Sequence, residues 1–159
     1  MDELRIQQLT KEMVAEELRM LGDPCAAAAA VVRKTLSAAL ESPLDGTPPM
    51  RIVEDAVRGA ITALLLAEQS LTRGSILLLE VIVDVAAKAQ LDPTEAMRAA
   101  LRALADLRRF ADPARIDDIR LAIGAKYMGA GEVFVEYLRV PLPAKAAPSA
   151  AVDRTGARF

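Results

Sequence analysis

Residues 75–90 form the most apolar part of the chain, yet three charged side chains recur in it at four-residue intervals. Glu80, Asp84 and Lys88 therefore share one face of a predicted helix, because four residues correspond to about one helical turn. A second segment, 49–71, has a polar stripe formed by Arg51, Glu54, Asp55, Arg58 and Thr62. Both segments are predicted to be helices that bury most of their circumference and meet water along a narrow stripe.

Three Asp-Pro pairs mark further helix starts: Asp23-Pro24, Asp92-Pro93 and Asp112-Pro113. Aspartate accepts hydrogen bonds from the free N–H groups of a first turn, and proline at the first helical position has no N–H to leave unpaired. The run Arg73-Gly74-Ser75 is interpreted as a helix stop followed by a new N-cap. The predicted helices cover about residues 2–21, 24–41, 49–71, 75–90, 93–110 and 113–128, with a short helix at 132–140.

These elements predict an all-α fold, a single-domain helical bundle of about six helices plus a short C-terminal helix. Composition agrees, because hydrophobic residues make up 53%, alanine is the most frequent type and aromatics are only 3%. The bundle is assigned to residues 1–140, with the main internal loop at 42–50, where proline and glycine cluster. Residues 141–159 are rich in proline and alanine without periodicity, and they are predicted to be a flexible tail.

Net charge, apolar run length and cysteine content limit the partners and the cellular location that we expect for the chain. The formal net charge of −2 gives no general attraction to nucleic acid, so no nucleic-acid partner is expected. Apolar runs are much shorter than a bilayer requires, so no transmembrane segment is expected. A single cysteine excludes an intrachain disulfide, and a cytoplasmic location follows as the expectation.

The 159 residues include no histidine, and this absence excludes many catalytic arrangements. Ser-His-Asp and Cys-His nucleophile pairs both need an imidazole, and a structural zinc site needs several Cys or His ligands. Cys25 is interpreted as a small apolar filler beside five alanines. We therefore expect a protein that is not an enzyme and that carries no cofactor.

Two groups of charged residues remain as weak site candidates. Glu80 and Asp84 would form a paired-carboxylate site for a divalent cation if another helix supplied more oxygen ligands; the alternative is a solvated stripe. Arg98, Arg102 and Arg109 share a face of the predicted fifth helix and would contact an anion; the alternative is a solvated face with internal ion pairs.

Leucines interrupt the polar stripes of the two most apolar helices near the Arg73-Gly74 turn. Leu65 and Leu66 occupy stripe positions on one helix, and Leu77 occupies one on the next. The tip of this helix hairpin is thus predicted to be apolar on the face that the polar stripes would otherwise expose to solvent. A monomer rarely exposes such an apolar patch. Leu65, Leu66 and Leu77 are predicted to form an interface.

Three functional hypotheses follow. The first is a non-enzymatic helical scaffold or interaction protein that binds itself, or another protein, through the apolar hairpin surface. The second is an adaptor on an apolar surface such as a lipid interface or a storage granule, for which amphipathic helices are suited. The third is a cation site or enzyme that uses the carboxylates of Glu80 and Asp84.

Overall fold

The computed structural model describes residues 2–18, 22–42 and 46–142, and within them the chain forms α-helices and no strand. The predicted all-α fold is therefore confirmed for these residues. In α1, side chains are described for residues 5–15. A short 3₁₀ turn, Asp106–Arg109, follows the fifth helix. The helices are α1 (Asp2–Leu18), α2 (Pro24–Glu41), α3 (Pro49–Leu66), α4 (Leu71–Lys88), α5 (Pro93–Ala105), α6 (Pro113–Lys126) and α7 (Ala130–Leu138).

The three Asp-Pro pairs begin helices, as predicted. Asp23, Asp92 and Asp112 occupy the N-cap positions of α2, α5 and α6. Each carboxylate accepts a hydrogen bond from a backbone N–H two or three residues later, at 2.9–3.3 Å. Local chemistry alone therefore sets three of the helix starts.

The predicted break at Arg73-Gly74-Ser75 is wrong. Helix α4 begins at Leu71, and its N-cap is Ser70, whose hydroxyl accepts a hydrogen bond from the N–H of Arg73 at 3.1 Å. Gly74 lies inside the helix, where a Cβ atom would come within 2.5 Å of the Leu64 side chain. The glycine at this position therefore permits close contact between α3 and α4 instead of ending a helix.

Helix α3 ends five residues earlier than predicted, at Leu66, and it ends without a glycine. Glu68 adopts a left-handed backbone with φ of 58°, and the N–H of Gln69 reaches back to the carbonyl of Leu64 at 2.9 Å. This is a Schellman-type helix end. Helix α4 ends in the same way, with Gln90 at φ of 60°.

Helix α3 lies at the centre of the bundle and packs against α1, α2, α4 and α5. Helix α4 also packs against α2, α5 and α6, while α7 packs against α5 and α6. The core is formed by leucine, isoleucine, valine and alanine side chains with Phe134 among the largest that are fully buried. The α1–α2 pair packs against α3, and the α6–α7 pair packs against α4 and α5.

Two further predictions concern the ends of the chain and the membrane. Of the predicted tail, residues 143–159 lie outside the described residues, as do residues 43–45 of the predicted internal loop. In the part of the chain that the structure describes, no helix combines the length and apolar character needed to cross a membrane.

Candidate functional site

Glu80 and Asp84 lie on one face of α4 but pair with cations from different helices. Glu80 accepts a hydrogen bond from Lys126 of α6, and this bond raises the pKa of the lysine. Asp84 accepts a hydrogen bond from Arg33 of α2, which lowers the pKa of the aspartate. Lys88 lies 3.5 Å from the same aspartate. The two carboxylates are therefore held by separate inter-helix ion pairs.

Each of these two carboxylates thus has a cation from another helix as its partner. Within the described residues, no three acidic, cysteine or histidine side chains come together in a group that could hold a metal ion. Both carboxylates are also partly exposed to solvent. The geometry fits two links between helices better than a cation site.

The three arginines of the predicted anion contact have separate surroundings. Arg98 pairs within α5 with the carboxylate three residues before it, at 3.7 Å. Arg102 lies 3.6 Å from Glu54 and over the ring of Tyr137, at 5.6 Å from its centroid. Arg109 lies in the 3₁₀ turn and borders a cavity of about 300 Å³. The three guanidinium groups do not converge on one position.

The most extensive polar cluster is centred on Arg58, and the sequence interpretation missed it. Arg58 donates hydrogen bonds to Glu54 at 2.7 Å, to Asp106 at 2.8 Å and to Asp55 at 3.3 Å. Asp55 is only 3% exposed. The polar stripe of α3 was predicted to face solvent. This prediction is wrong, because the central part of the stripe faces α5 and the 3₁₀ turn.

The pKa of Arg58 shows which effect dominates in this cluster. Burial works to lower it, but hydrogen bonds to Glu54 and Asp106 outweigh burial and raise the pKa above its ordinary value. The guanidinium therefore stays charged between α3 and the end of α5. Arg58 is partly buried and pairs with carboxylates on α3 and in the 3₁₀ turn, so it connects these two elements.

Cys25 is buried, and its thiol donates a hydrogen bond to the carbonyl of Ser70 at 3.3 Å. Burial and the nearby Asp23 carboxylate raise the pKa of the thiol. A thiol that stays protonated is a poor nucleophile. The structure therefore places Cys25 in the packing between α2 and the α3–α4 connection.

The three leucines of the predicted hairpin interface have different exposures. Leu65 and Leu77 are partly buried and pack against the hydrophobic core. Leu66 is 69% exposed. The apolar surface at the tip of the α3–α4 hairpin therefore consists largely of one leucine, and single exposed leucines are common on monomeric proteins.

Exposed apolar side chains concentrate instead near the end of the described chain. Among the side chains that the structure describes, three of the large apolar ones that are exposed are scattered, at Leu9, Leu66 and Phe110. The other four fall within residues 121–142 and are Leu121, Met128, Val140 and Leu142. Met128, in the turn between α6 and α7, is fully exposed.

Two grooves flank Met128. The first, of about 750 Å³, lies between α6 and α7 and is also lined by Leu121. The second, of about 550 Å³, lies between Met128, α4 and α5. Glu132, Glu136 and Arg139 line the first groove and make no ion pair among the described residues. We call Leu121, Met128, these three charged residues and the first groove the α6–α7 surface.

Comparison of the chain with protein families, with curated proteins and with solved structures finds no match. The class of protein is therefore defined by the fold of the described residues alone, which is an all-α helical bundle.

Proposed function

We propose that this chain is a non-enzymatic helical interaction protein that self-associates, with the α6–α7 surface as the interface between two copies. The observation that carries the proposal is the coincidence of exposed apolar side chains and unpaired charges on one groove. An apolar centre with a polar rim is the usual anatomy of a protein interface, and methionine is enriched there.

The charges on the groove favour a second copy of this chain as the partner. Glu132 and Glu136 supply negative charge, and Arg139 supplies positive charge on the same surface. In a twofold dimer the same patch meets itself, so a patch with both signs of charge can pair with its own copy. In such a dimer, Arg139 of one copy lies opposite a glutamate of the other, and Met128 fills the facing groove.

This proposal moves the expected interface from the α3–α4 hairpin to the α6–α7 hairpin. Leu65 and Leu77 pack against the core, and Leu66 alone is a small contact area. Leu121 and Met128, by contrast, line one continuous groove. The larger exposed apolar area gains more free energy when it is removed from water.

The oligomeric state of Met128→Glu provides the first test. A charge in the apolar centre should shift the protein from a dimer to a monomer of 17.0 kDa, as measured by light scattering after size exclusion. Leu66→Glu is the control, since it introduces the same charge at another exposed apolar residue, on α3, and should leave the dimer intact. A monomeric unmodified protein at tens of micromolar contradicts the proposal.

A charge reversal provides the second test of the same interface. Glu136→Arg or Arg139→Glu alone should weaken dimerisation by roughly tenfold, because like charges then face each other. The double variant should recover most of the loss, since it restores opposite signs across the twofold axis. If Leu66→Glu dissociates the dimer and these variants do not, the interface is the α3–α4 hairpin.

A lipid surface is the alternative partner for the same exposed side chains. Flotation with neutral and anionic vesicles distinguishes lipid binding from self-association, because a protein that only self-associates should not float with the vesicles. Co-flotation that Met128→Glu abolishes would assign the surface to lipid and overturn self-association as its role.

A further inference from the structure

A pocket of about 400 Å³ lies between α1 and α2, and the first turn of α3 contributes to its lining. Its walls are aliphatic, from Ile6, Leu9 and Met13 on α1 and from Ile52 on α3. The α2 wall contributes the small side chains of Ala38 and Ala39, so the two helices leave space between them. The volume falls in the range of small-molecule sites, which are mostly apolar with a few polar groups.

The pocket contains one charged side chain among its described lining residues, Lys34 of α2. Lys34 is exposed, and its side chain makes no ion pair or hydrogen bond with any residue that the structure describes, whereas the neighbouring Arg33 is paired with Asp84. An unpaired ammonium at the edge of an aliphatic pocket is complementary to an anionic head group on a hydrocarbon chain.

The shape of the pocket indicates the length of that chain. Lys34, Ala38 and Ser42 follow one another along one face of α2 and all line the pocket. Eight residues of helix span about 12 Å, a length that an extended chain of roughly ten carbons fills. The described lining has no aromatic ring that would favour a planar ligand.

We propose that the α1–α2 pocket binds a medium-chain carboxylate, with its hydrocarbon chain between α1 and α2 and its carboxylate paired with Lys34. The site is remote in sequence from the α6–α7 surface and does not depend on self-association.

Calorimetry with decanoate, below its micellar concentration, tests the proposal. Decanoate should bind one to one, and each methylene removed from the chain should weaken binding by about fourfold, as expected for burial of a CH₂ group. Decyltrimethylammonium has a chain of the same length and the opposite charge, and it should bind more weakly. Equal binding of the two, or affinity that does not depend on chain length, would overturn the proposal.

Two pairs of variants locate the binding site. Ala38→Leu fills the pocket with a good helix former at an exposed position and should abolish binding. Ala30→Leu adds the same side chain at an exposed position of α2 outside the pocket and should not change the affinity. Circular dichroism confirms that both variants stay helical.

Lys34→Gln should weaken decanoate binding by about two- to fivefold and leave decanol binding unchanged, because an exposed ion pair contributes little and decanol has no charge. Lys11→Gln is the control, since Lys11 lies on α1 outside the pocket lining. Decanoate binding that survives Ala38→Leu but is lost in Met128→Glu would place the amphiphile on the α6–α7 surface and refute the pocket.

Discussion

Ser75 is fully buried in α4, and its hydroxyl has no hydrogen-bond partner among the described residues. A buried hydroxyl without a partner lowers stability, because the group gives up its hydrogen bonds to water on folding. Ser70, five residues earlier, caps the same helix and accepts a hydrogen bond from a backbone N–H. Two serines on one helix therefore have opposite effects on the free energy of unfolding.

Alanine substitutions should show this opposition directly. Ser70→Ala should lower the free energy of unfolding by about 1 kcal/mol, because it removes an N-cap. Ser75→Ala should raise it by up to about 1 kcal/mol, because alanine removes the unpaired hydroxyl and favours helix. Urea titrations followed by circular dichroism measure both values. A loss of stability in Ser75→Ala would instead support Ser75 as the cap of a helix that starts there.

Single residues also explain why two helix ends could not be predicted. Glu68 and Gln90 take the left-handed backbone position that usually belongs to glycine. The sequence contains no signal for this conformation at either site, because glutamate and glutamine are ordinary helix formers. The glycine that is present, Gly74, was interpreted as the stop although its role is to admit the Leu64 side chain.

At the scale of helices, the cluster around Arg58 connects α3 to the end of α5. Arg58 and Glu54 are four residues apart, so this pair was visible as a spacing in the sequence. Asp106 is forty-eight residues from Arg58, and only the packing of α3 against α5 brings the two together. The cluster replaces water as the partner of a polar stripe that would otherwise be expected at the surface.

Arg58→Ala should lower the free energy of unfolding by about 2–4 kcal/mol, because it leaves the buried carboxylate of Asp55 and its neighbours without their common cation. Chemical denaturation at neutral pH measures the change. Arg98→Ala is the matched control: its guanidinium is about half exposed and its ion pair is 3.7 Å long, so the loss should stay below about 1 kcal/mol. Equal losses in the two variants would mean that the Arg58 cluster is no stronger than a surface pair.

For the molecule as a whole, three surface ion pairs connect α4 to its neighbours. Asp84 pairs with Arg33 on α2, and Glu80 pairs with Lys126 on α6. The N-cap Asp23 also pairs with Arg73, which ties the start of α2 to the first turn of α4. Hydrogen bonds from the arginines lower the pKa of Asp23 and Asp84 below the ordinary 3.8.

These shifts predict how stability depends on pH. A lowered folded-state pKa contributes stability that is present above the ordinary value and is lost as the pH falls below it. Asp84→Asn should therefore be less stable than the unmodified protein at about pH 7, and the difference should be smaller at about pH 2. Denaturant midpoints at both values measure this. A difference of the same size in acid would mean that the charge of Asp84 is not its cause.

At high pH the stabilising contribution of a surface ion pair is lost as the pH rises, which is the opposite of the behaviour in acid. The hydrogen bond with Glu80 raises the pKa of Lys126 above the ordinary 10.5, so its contribution is complete below that value and is lost as the pH rises through the raised pKa. The surface ion pairs of α4 should therefore stabilise the bundle over the pH range between the ordinary pKa of aspartate, 3.8, and that of lysine, 10.5.

The sequence by itself determined the all-α class and the positions at which α2, α5 and α6 begin. These features depend on neighbours within one turn, such as an aspartate carboxylate beside free N–H groups. Interactions between residues close in sequence can be predicted from the sequence alone. It also identified the face of α4 that carries Glu80 and Asp84, since helical periodicity places residues four apart on one side.

Only the tertiary structure decided what covers each face. A periodic pattern shows which side of a helix is polar, but water and another helix can both satisfy polar groups, and the pattern is the same in either case. The α3 stripe thus turned out to face Asp106, while Leu65 and Leu77 turned out to pack against the core. The α6–α7 surface and the α1–α2 pocket exist only because of how helices from separate parts of the chain are arranged.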